Sequence, residues 1–340
     1  MVDVALAGYG MAGADIHAPL LKEAGLRVAA VSTSSPERAA AARERHGGVR
    51  VVPDLDALLA LEGIDLVVLA TPTGAHREHA LACVRAGRPV VVHKPLGVDE
   101  ASSREVVEAS EAAGVPLTVF HNRRFDPEQA TMTRVARDGS LGEVTRAELR
   151  WERWRPEPKR RWRETATAAE GGGILLDLQS HLVDAAVQAF GPVTSVYAEL
   201  AARTTVAEDD AFLACRHATG VSSHLSATSF AGLPGPRYRV LGTMGAYLLA
   251  QLADEPTLRP DLADASPEHC GWVYRGGERV AAERAPVRPA DFYRGVAQAL
   301  SSPDPQGQMP VDPRDAVHTA AVLDAARRSA QTGTVVTLSR

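Results

Sequence analysis

An apolar run that leads straight into three closely spaced glycines constrains the fold of this chain more than any other feature. Residues 2–8, VDVALAG, have the composition of a buried strand, and Gly8, Gly10 and Gly13 follow in the spacing G-x-G-x-x-G. The first glycine allows a tight turn, the second lets a phosphate approach the backbone, and the third lets helix and strand pack closely. Between a predicted strand and a predicted helix, the motif indicates a dinucleotide-binding loop. The predicted cofactor contacts here are Gly8, Tyr9, Gly10, Met11, Ala12 and Gly13.

Short apolar runs continue to alternate with helical patterns through the first third of the chain. The helical segment 35–47 has Ser35 as a candidate N-cap, Pro36 at the first helical position and Gly47 as a stop. Nearly continuous apolar strands separated by helices predict a parallel sheet covered on both faces, which is the doubly wound arrangement. The further predicted strands are 26–32, 49–52, 64–70, 88–94 and 116–122.

The pattern changes after about residue 123, where polar and apolar residues alternate and short turns intervene, as in antiparallel strands. Because 340 residues suffice for two domains, we predict an α/β protein with an N-terminal Rossmann doubly wound parallel sheet over 1–120. A C-terminal α+β domain with a large, mostly antiparallel open sheet is predicted over 121–340. Its predicted elements are strands at 143–153, 194–203, 210–218, 221–230 and 334–338, helices at 172–191 and 312–331, and loops over 252–290.

Composition and charge exclude several classes of protein. A net charge of -5 and a pI near 6.1 argue against a general binder of nucleic acids or anionic membranes. No apolar run approaches membrane-spanning length and no signal peptide is evident, so we expect a cytoplasmic protein. Cys83, Cys215 and Cys270 share no metal-ligand spacing, and we expect reduced structural thiols and no metal site.

The end of the second strand bears on which nicotinamide cofactor would bind. Sites for NAD usually hold an acidic residue here that hydrogen-bonds the ribose 2′-hydroxyl, whereas this chain has Ser32, Thr33 and Ser34, followed by Arg38. Small hydroxyls and an arginine suit a 2′-phosphate, so the sequence favours NADP over NAD. Helix capping by Ser35 with a solvated Arg38 would explain the same residues, and both interpretations can hold.

A lysine ends the fifth predicted strand, at the sheet edge where ligands bind in doubly wound folds. The stretch VVVHKPLG, 90–97, ends in His93 and Lys94, and ATPTGAH, 70–76, follows the preceding strand at the same edge. Lys94 is therefore expected beside the nicotinamide, although a rim lysine that reaches water is the alternative. The predicted cofactor contacts at this edge are Thr71, Pro72, Thr73, His76, His93 and Lys94.

Two polar residues share one face of the predicted helix 172–191. Asp177 and His181 are four residues apart and are flanked mainly by leucine, isoleucine and valine. A histidine beside a carboxylate can transfer protons, and a purely structural Asp–His pair is the alternative. Asp184 is a weaker candidate, as a supporting partner or an exposed acid.

These stretches together resemble the Gfo/Idh/MocA family of NAD(P)-dependent sugar and polyol oxidoreductases. The resemblance rests on GYGMAG, on residues 70–97 and on GGGILLDLQSHLVDAAVQAFG, and it runs through nearly the whole chain. The stretches HAPLL, VFHNRRFDPE, RWRPEPKRRWRE and GPRYRVLGTMGAYL are similar to the NADP-dependent scyllo-inositol dehydrogenase branch. The resemblance implies hydride transfer between nicotinamide and a secondary alcohol or ketone of a cyclic polyol or sugar. It also implies a C-terminal domain for substrate binding and dimerisation, with a homodimer or homotetramer formed through the open sheet face.

The resemblance assigns roles to individual residues. The family's catalytic lysine falls on Lys94 and its D-x-x-x-H pair on Asp177 and His181, with lysine and histidine handling the hydroxyl proton. Residues of the FHNRR stretch are expected to line the substrate cleft, and four others are weaker candidates for which a structural role is equally plausible. The expected substrate contacts are His121, Asn122, Arg123 and Arg124, with Trp162, Arg163, Arg237 and Tyr238 as the weaker set.

Two residues depart from the family pattern. His93 stands where the family usually has Glu, and Gln179 replaces the glycine of D-x-G-x-H. The first change removes a carboxylate that would hold the neighbouring lysine protonated. Two other functions remain open: a non-catalytic NADP-binding sensor or regulator, and an NAD-dependent glycosidase of the same fold. Retention of Lys94, Asp177 and His181 argues against the sensor.

Overall fold

The computed structural model describes residues 2–159, 162–252, 255 and 259–338, and these form two compact units. The first unit runs to Asn122 and adds Pro289–Val317, while the second comprises Arg123–Arg288 and the chain from His318 onward. Arg160 and Arg161, part of the RWRPEPKRRWRE resemblance, lie outside the described residues.

Fifteen strands and ten helices are found in the described part of the chain. The strands are β1 Asp3–Ala7, β2 Arg27–Ser32, β3 Arg50–Val52, β4 Leu66–Leu69, β5 Val90–His93, β6 Leu117–Phe120, β7 Val144–Glu152, β8 Val193–Ala201, β9 Asp210–His217, β10 Ser222–Thr228, β11 Tyr238–Gly242, β12 Ala246–Leu249, β13 His269–Arg275, β14 Glu278–Glu283 and β15 Val336–Thr337. The helices are α1 Ala18–Glu23, α2 Pro36–Arg45, α3 Leu55–Leu59, α4 His76–Arg85, α5 Glu100–Ala113, α6 Pro127–Arg137, α7 Trp162–Thr165, α8 Ser180–Phe190, α9 Asp291–Leu300 and α10 Pro313–Thr332.

The first unit is built on a six-stranded parallel sheet in the order β3-β2-β1-β4-β5-β6, which confirms the predicted doubly wound arrangement. Valine and leucine side chains of β4, β5 and β6 are fully buried in a core shared with apolar residues of α4 and α5. Burial of apolar strands on both faces is the main stabilising contribution to such a sheet. The order reverses between β1 and β4, so their carboxyl ends flank the crevice in which such folds bind ligands.

Local sequence signals explain where individual helices begin and end. Helix α2 begins after Ser35, whose hydroxyl accepts the backbone N–H of Arg38 at 3.2 Å, and Pro36 takes the first position as predicted. Helix α5 begins with a capping box between Asp99 and Ser102 and ends at Gly114, which adopts φ +63°.

One late segment belongs to the first unit, although the sequence boundary placed it with the C-terminal domain. Helix α9 buries Phe292 and Tyr293 completely, and both rings pack against Phe120 at the end of β6. Aromatic packing of this kind outweighs position in the chain, which is why residues 289–317 join the first unit.

The second unit is built on a nine-stranded sheet in the order β14-β13-β12-β11-β7-β10-β9-β8-β15. All of its pairings are antiparallel except β7 with β10, so the sheet is mostly antiparallel as predicted. Helix α8 packs on one face of it, and every second residue of β9 and β10 is buried there.

The prediction of loops over 252–290 is wrong in part, because β13 and β14 form a hairpin within it. The hairpin is short and its outer strand is largely exposed, so its sequence lacks clear polar and apolar alternation. The predicted helix 172–191 is α8, preceded by a π-helical segment at Leu175–Gln179.

Candidate active site

The glycine loop after β1 has a backbone that larger residues could not adopt. Gly8 has φ +93°, and a Cβ there would lie 2.8 Å from the carbonyl oxygen of Ala70. A Cβ on Gly13 would lie 2.1 Å from the Gly8 carbonyl oxygen, so the third glycine is what lets the helix pack on the turn. The next turn is π-helical over Ala12–His17 before α1 begins, and Met11 at its start is exposed.

The middle glycine fits a bound phosphate group. A Cβ on Gly10 would meet nothing closer than the Arg38 guanidinium, whose Nη1 lies 3.8 Å away. The loop thus offers an open backbone next to a cation, at the start of a helix, which is the donor set that binds pyrophosphate. Tyr9 is buried, and its hydroxyl lies 2.8 Å from Nε2 of His46, which ties the loop to the end of α2.

The hydroxyl residues at the end of β2 lie next to the same loop. The Gly8 N–H donates to the Ser32 carbonyl at 3.0 Å, and Ser32 is buried while Ser34 is exposed. The Thr33 N–H donates to Val52 on β3, which places this turn at the carboxyl end of the sheet. The residues present therefore fit a dinucleotide, and no carboxylate stands at the end of β2.

The segment after β4 is tied to the segment after β5 by one histidine. The His76 ring has Nδ1 at 2.7 Å from the Pro95 carbonyl oxygen and Nε2 at 2.9 Å from that of Thr71. Thr73 is buried in the short turn that follows Pro72. These contacts link the backbone just after Lys94 to the backbone just after β4, so the predicted cofactor contacts of both segments share one edge of the sheet.

Lys94 follows directly on β5 and is only 4% exposed. His93, the last residue of the strand, is 7% exposed and pairs in register with Phe120 of β6. Burying an amino group this deeply costs free energy unless the group is paired or takes part in the chemistry. Lys94 is therefore not the water-exposed rim lysine of the alternative interpretation.

Asp177 and His181 both lie in the second unit, at the junction of the π-helical segment and α8. The Arg163 Nε is 3.3 Å from Oδ1 of Asp177, so one weaker substrate candidate pairs with a predicted catalytic residue. The His181 ring packs against Trp151 of β7, with centroids 5.3 Å apart and planes tilted by 33°. A π-helical turn is often found at functional sites because it re-aims side chains within a helix.

Two arginines cover the tryptophan that contacts His181. The guanidinium carbons of Arg237 and Arg123 lie 4.0 Å and 4.9 Å from the Trp151 ring centroid. Arg237 is only 3% exposed, and burial, together with nearby Arg123, lowers its pKa. Burial also raises the pKa of Tyr238, which is adjacent on β11. Arg237 therefore packs on the ring that contacts His181, and Tyr238 is its buried neighbour.

Asp177 faces a cavity within the second unit whose lining carries both charges. Of the lining residues, Asp177 and Arg163 are predicted site residues and the others are not. Some of these others lie in the Arg- and Trp-rich stretch after β7, where only Trp162 and Arg163 are predicted to contact substrate. The missed lining residues include Arg153, Arg155, Glu164, Thr204 and Glu208.

The remaining substrate candidates have other partners or lie in the first unit. Arg124 forms a buried ion pair with Asp184, with Nε at 3.0 Å from Oδ2, so Asp184 is not an exposed acid. His121 is buried and follows β6 in the first unit, where Asn122 begins a short turn. Trp162 lies under the Arg163 guanidinium at 4.5 Å.

The described ranges contain neither a metal-binding cluster nor a membrane-spanning helix. Within them, no group of three or more His, Cys, Asp or Glu side chains could hold a metal ion. No helix among these residues combines the length and hydropathy needed to cross a bilayer. Cys83, Cys215 and Cys270 are buried and unbridged, and burial raises the pKa of the first two to about 12.

Comparison with known proteins gives the same result over both units. Residues 2–121 match the model described as oxidoreductase family, NAD-binding Rossmann fold, and residues 130–248 match the GFO/IDH/MocA C-terminal domain. The scyllo-inositol 2-dehydrogenase (NADP(+)) IolW of Bacillus subtilis is 28% identical, with 97% of this chain and 94% of IolW covered. An uncharacterized oxidoreductase of Escherichia coli, YdgJ, is 31% identical over 97% of this chain and 96% of its own.

A solved structure extends the match to three dimensions. The structure of YvaA from Bacillus subtilis superimposes with a TM-score of 0.86 at 26% identity, covering 99% of this chain and 98% of YvaA. A glycine loop shaped for a dinucleotide, a doubly wound sheet and matches over both units thus agree, and the chain belongs to the Gfo/Idh/MocA family of NAD(P)-binding oxidoreductases.

Proposed function

We propose that this protein is an NADP-dependent dehydrogenase that interconverts a secondary alcohol and a ketone on a cyclic polyol or sugar. The observation that carries the proposal is Lys94, a lysine 4% exposed at the carboxyl end of β5 in a dinucleotide-binding sheet. Among relatives, IolW is by its name an NADP-dependent scyllo-inositol dehydrogenase. The nicotinamide, when bound, supplies the hydride chemistry.

The residues of the chain supply binding and proton transfer. The glycine loop would hold the pyrophosphate, and Arg38 with the hydroxyls of Ser32, Thr33 and Ser34 would bind the 2′-phosphate. Lys94 and His181 would move the proton of the substrate hydroxyl, with Asp177 in support. Both signs of charge line the cavity at Asp177, which suits a polyol because each hydroxyl both donates and accepts.

The catalytic role of Lys94 is tested by replacing it and a matched exposed lysine. Lys94→Ala is expected to abolish oxidation while cofactor affinity, measured by fluorescence titration, stays within about threefold, because the lysine acts on the hydroxyl proton. Lys22→Ala, an exposed lysine on α1, is expected to leave both unchanged. The assay uses a panel of inositols and aldoses with NADP and NAD. Full activity of Lys94→Ala would overturn the role.

Cofactor preference is tested at Arg38 against Arg43, an exposed arginine farther along α2. Arg38→Ala is expected to weaken NADP binding about tenfold or more and NAD binding little, because charge-assisted bonds to a 2′-phosphate are lost. If Arg38→Ala weakens the binding of NADP and NAD equally, Arg38 contacts the pyrophosphate that both cofactors share and not the 2′-phosphate. Bound NADP without turnover of free cofactor would favour the sensor or the glycosidase.

The assembly proposed with this function is a homodimer or homotetramer through the uncovered sheet face of the second unit. Half-buried aromatic side chains lie on that face, including Phe212 and His224, whose rings are 5.9 Å apart. Sedimentation of wild type and Phe212→Arg checks it, with dissociation of the variant as the expected result and an unchanged mass as the contrary one.

A further inference from the structure

Three buried polar side chains form a hydrogen-bonded row that ends at His93. The Tyr293 hydroxyl lies 2.5 Å from Nδ1 of His17, and Nε2 of His17 lies 3.0 Å from Nδ1 of His93. Tyr293 and His17 are 0% exposed. All three residues belong to the first unit, and neither Tyr293 nor His17 was a predicted site residue.

Burial of the tyrosine sets the direction of these hydrogen bonds. A buried hydroxyl needs an acceptor for its proton, and among the described residues the acceptor it reaches is Nδ1 of His17. The tyrosine therefore donates, and burial raises its pKa well above the ordinary value, so it keeps its proton. The reverse direction would leave the tyrosine proton unsatisfied in the core, at the full desolvation cost of that group.

The direction of the hydrogen bond between Tyr293 and His17 also fixes the direction of the one between His17 and His93. Burial, with a smaller effect of His76, lowers the pKa of His17 to about 3, so its ring is neutral. A neutral ring that accepts at Nδ1 carries its proton on Nε2 and donates from there to Nδ1 of His93. Phe120 packs on His17 with centroids 4.4 Å apart, which holds the ring in place.

We propose that Tyr293 and His17 are positioning residues that fix His93 as the neutral tautomer with its proton on Nε2, beside Lys94. The inference rests on the proposed function only in giving Lys94 a part in the reaction. It also explains how histidine replaces the usual glutamate: either side chain can accept the His17 N–H. The difference is that His93 brings no negative charge to the lysine and turns a hydrogen-bond donor outward from the row.

Matched variants separate this arrangement from simple packing. Tyr293→Phe removes the donor and keeps the ring, and Tyr247→Phe is the control, because that buried hydroxyl donates to the Cys270 carbonyl in the second unit. His17→Gln keeps an acceptor toward Tyr293 and a donor toward His93, whereas His17→Leu keeps neither.

The readout is the ¹⁵N spectrum of histidine-labelled full-length protein, assigned with His93→Gln. Wild type, Tyr247→Phe and His17→Gln are expected to show His93 protonated on Nε2 alone, and Tyr293→Phe and His17→Leu a mixture of tautomers. In Tyr293→Phe, kcat is expected to fall about three- to tenfold, the equivalent of one hydrogen bond, at unchanged cofactor affinity. A wild-type His93 protonated on Nδ1, or an unchanged spectrum in Tyr293→Phe, would overturn the proposal. If the spectra are as expected but wild type shows no turnover, the positioning of His93 stands and the proposed function is refuted.

Discussion

At the scale of single residues, two of the predicted catalytic residues, Lys94 and His181, are buried, and Asp177 is half-buried. Asp177 pairs with Arg163, and His181 packs on Trp151 beneath two arginines. Trp151 thus gains a role that its place on an interior strand did not indicate.

Replacement of Trp151 should impair catalysis more than folding. Trp151→Leu is expected to lower kcat about three- to tenfold, because His181 loses the ring that orients it. Trp272→Leu is the control, since Trp272 lies on β13 of the same sheet under Arg279, with 4.2 Å from guanidinium to ring. Steady-state kinetics and urea unfolding of both variants check this. Equal kcat values in the two would remove Trp151 from the mechanism.

At the scale of secondary-structure elements, most of the fold could be predicted from local signals. All six strands of the parallel sheet were predicted because each is a nearly continuous apolar run, and α2 because Ser35 and Pro36 mark its start. The hairpin β13–β14 was missed because its outer strand is exposed. The parallel pairing of β7 with β10 depends on the tertiary arrangement of strands distant in sequence, which no local pattern encodes.

Residues of the candidate site could be predicted only where a reactive side chain stands at a recognisable place in the chain, such as a strand end or one face of a helix. Lys94 and the glycine loop follow strand ends, and Asp177 and His181 share a helix face, so spacing pointed to them. Tyr293 and His17 are 276 residues apart, and no periodicity links them.

Gln179 departs from the family pattern, yet its amide donates to the Ala211 and Leu225 carbonyls at 2.9 and 3.0 Å, which anchors the helix start to the sheet.

Loss of that anchor should destabilise the second unit. Gln179→Ala is expected to lower the free energy of unfolding by about 1–3 kcal/mol, because two buried carbonyls lose their donors. Gln188→Ala, a half-buried glutamine on α8, is the comparison. Urea denaturation followed by circular dichroism measures both. A loss no larger than that of Gln188→Ala would show that the anchor contributes nothing.

At the scale of the whole molecule, the predicted functional residues are divided between two units. The glycine loop, Arg38 and Lys94 belong to the first, and Asp177 and His181 to the second. Each unit also buries histidines with lowered pKa values, so the stability of the entire chain depends on pH. Burial lowers the pKa of His17 in the first unit and of His217 in the second.

Stability should fall as the pH is lowered from 7 to 5. The unfolded chain binds protons at these histidines below their ordinary pKa near 6.5, while the folded state does not, so unfolding takes up protons and becomes easier. Each such histidine contributes a slope of at most about 1.4 kcal/mol per pH unit. Urea unfolding at several pH values measures it, and His17→Gln should flatten the curve. A flat wild-type curve would contradict the account.

The proposed reaction moves a hydride between a secondary alcohol carbon and a nicotinamide. Incubation with NADP and ring-deuterated inositols or aldoses, followed by mass spectrometry of the cofactor, tests this directly. Wild type is expected to yield reduced cofactor carrying one deuterium, together with a ketone lacking one, and Lys94→Ala is expected to yield neither. Reduced cofactor without deuterium, or deuterium transfer undiminished in Lys94→Ala, would contradict it.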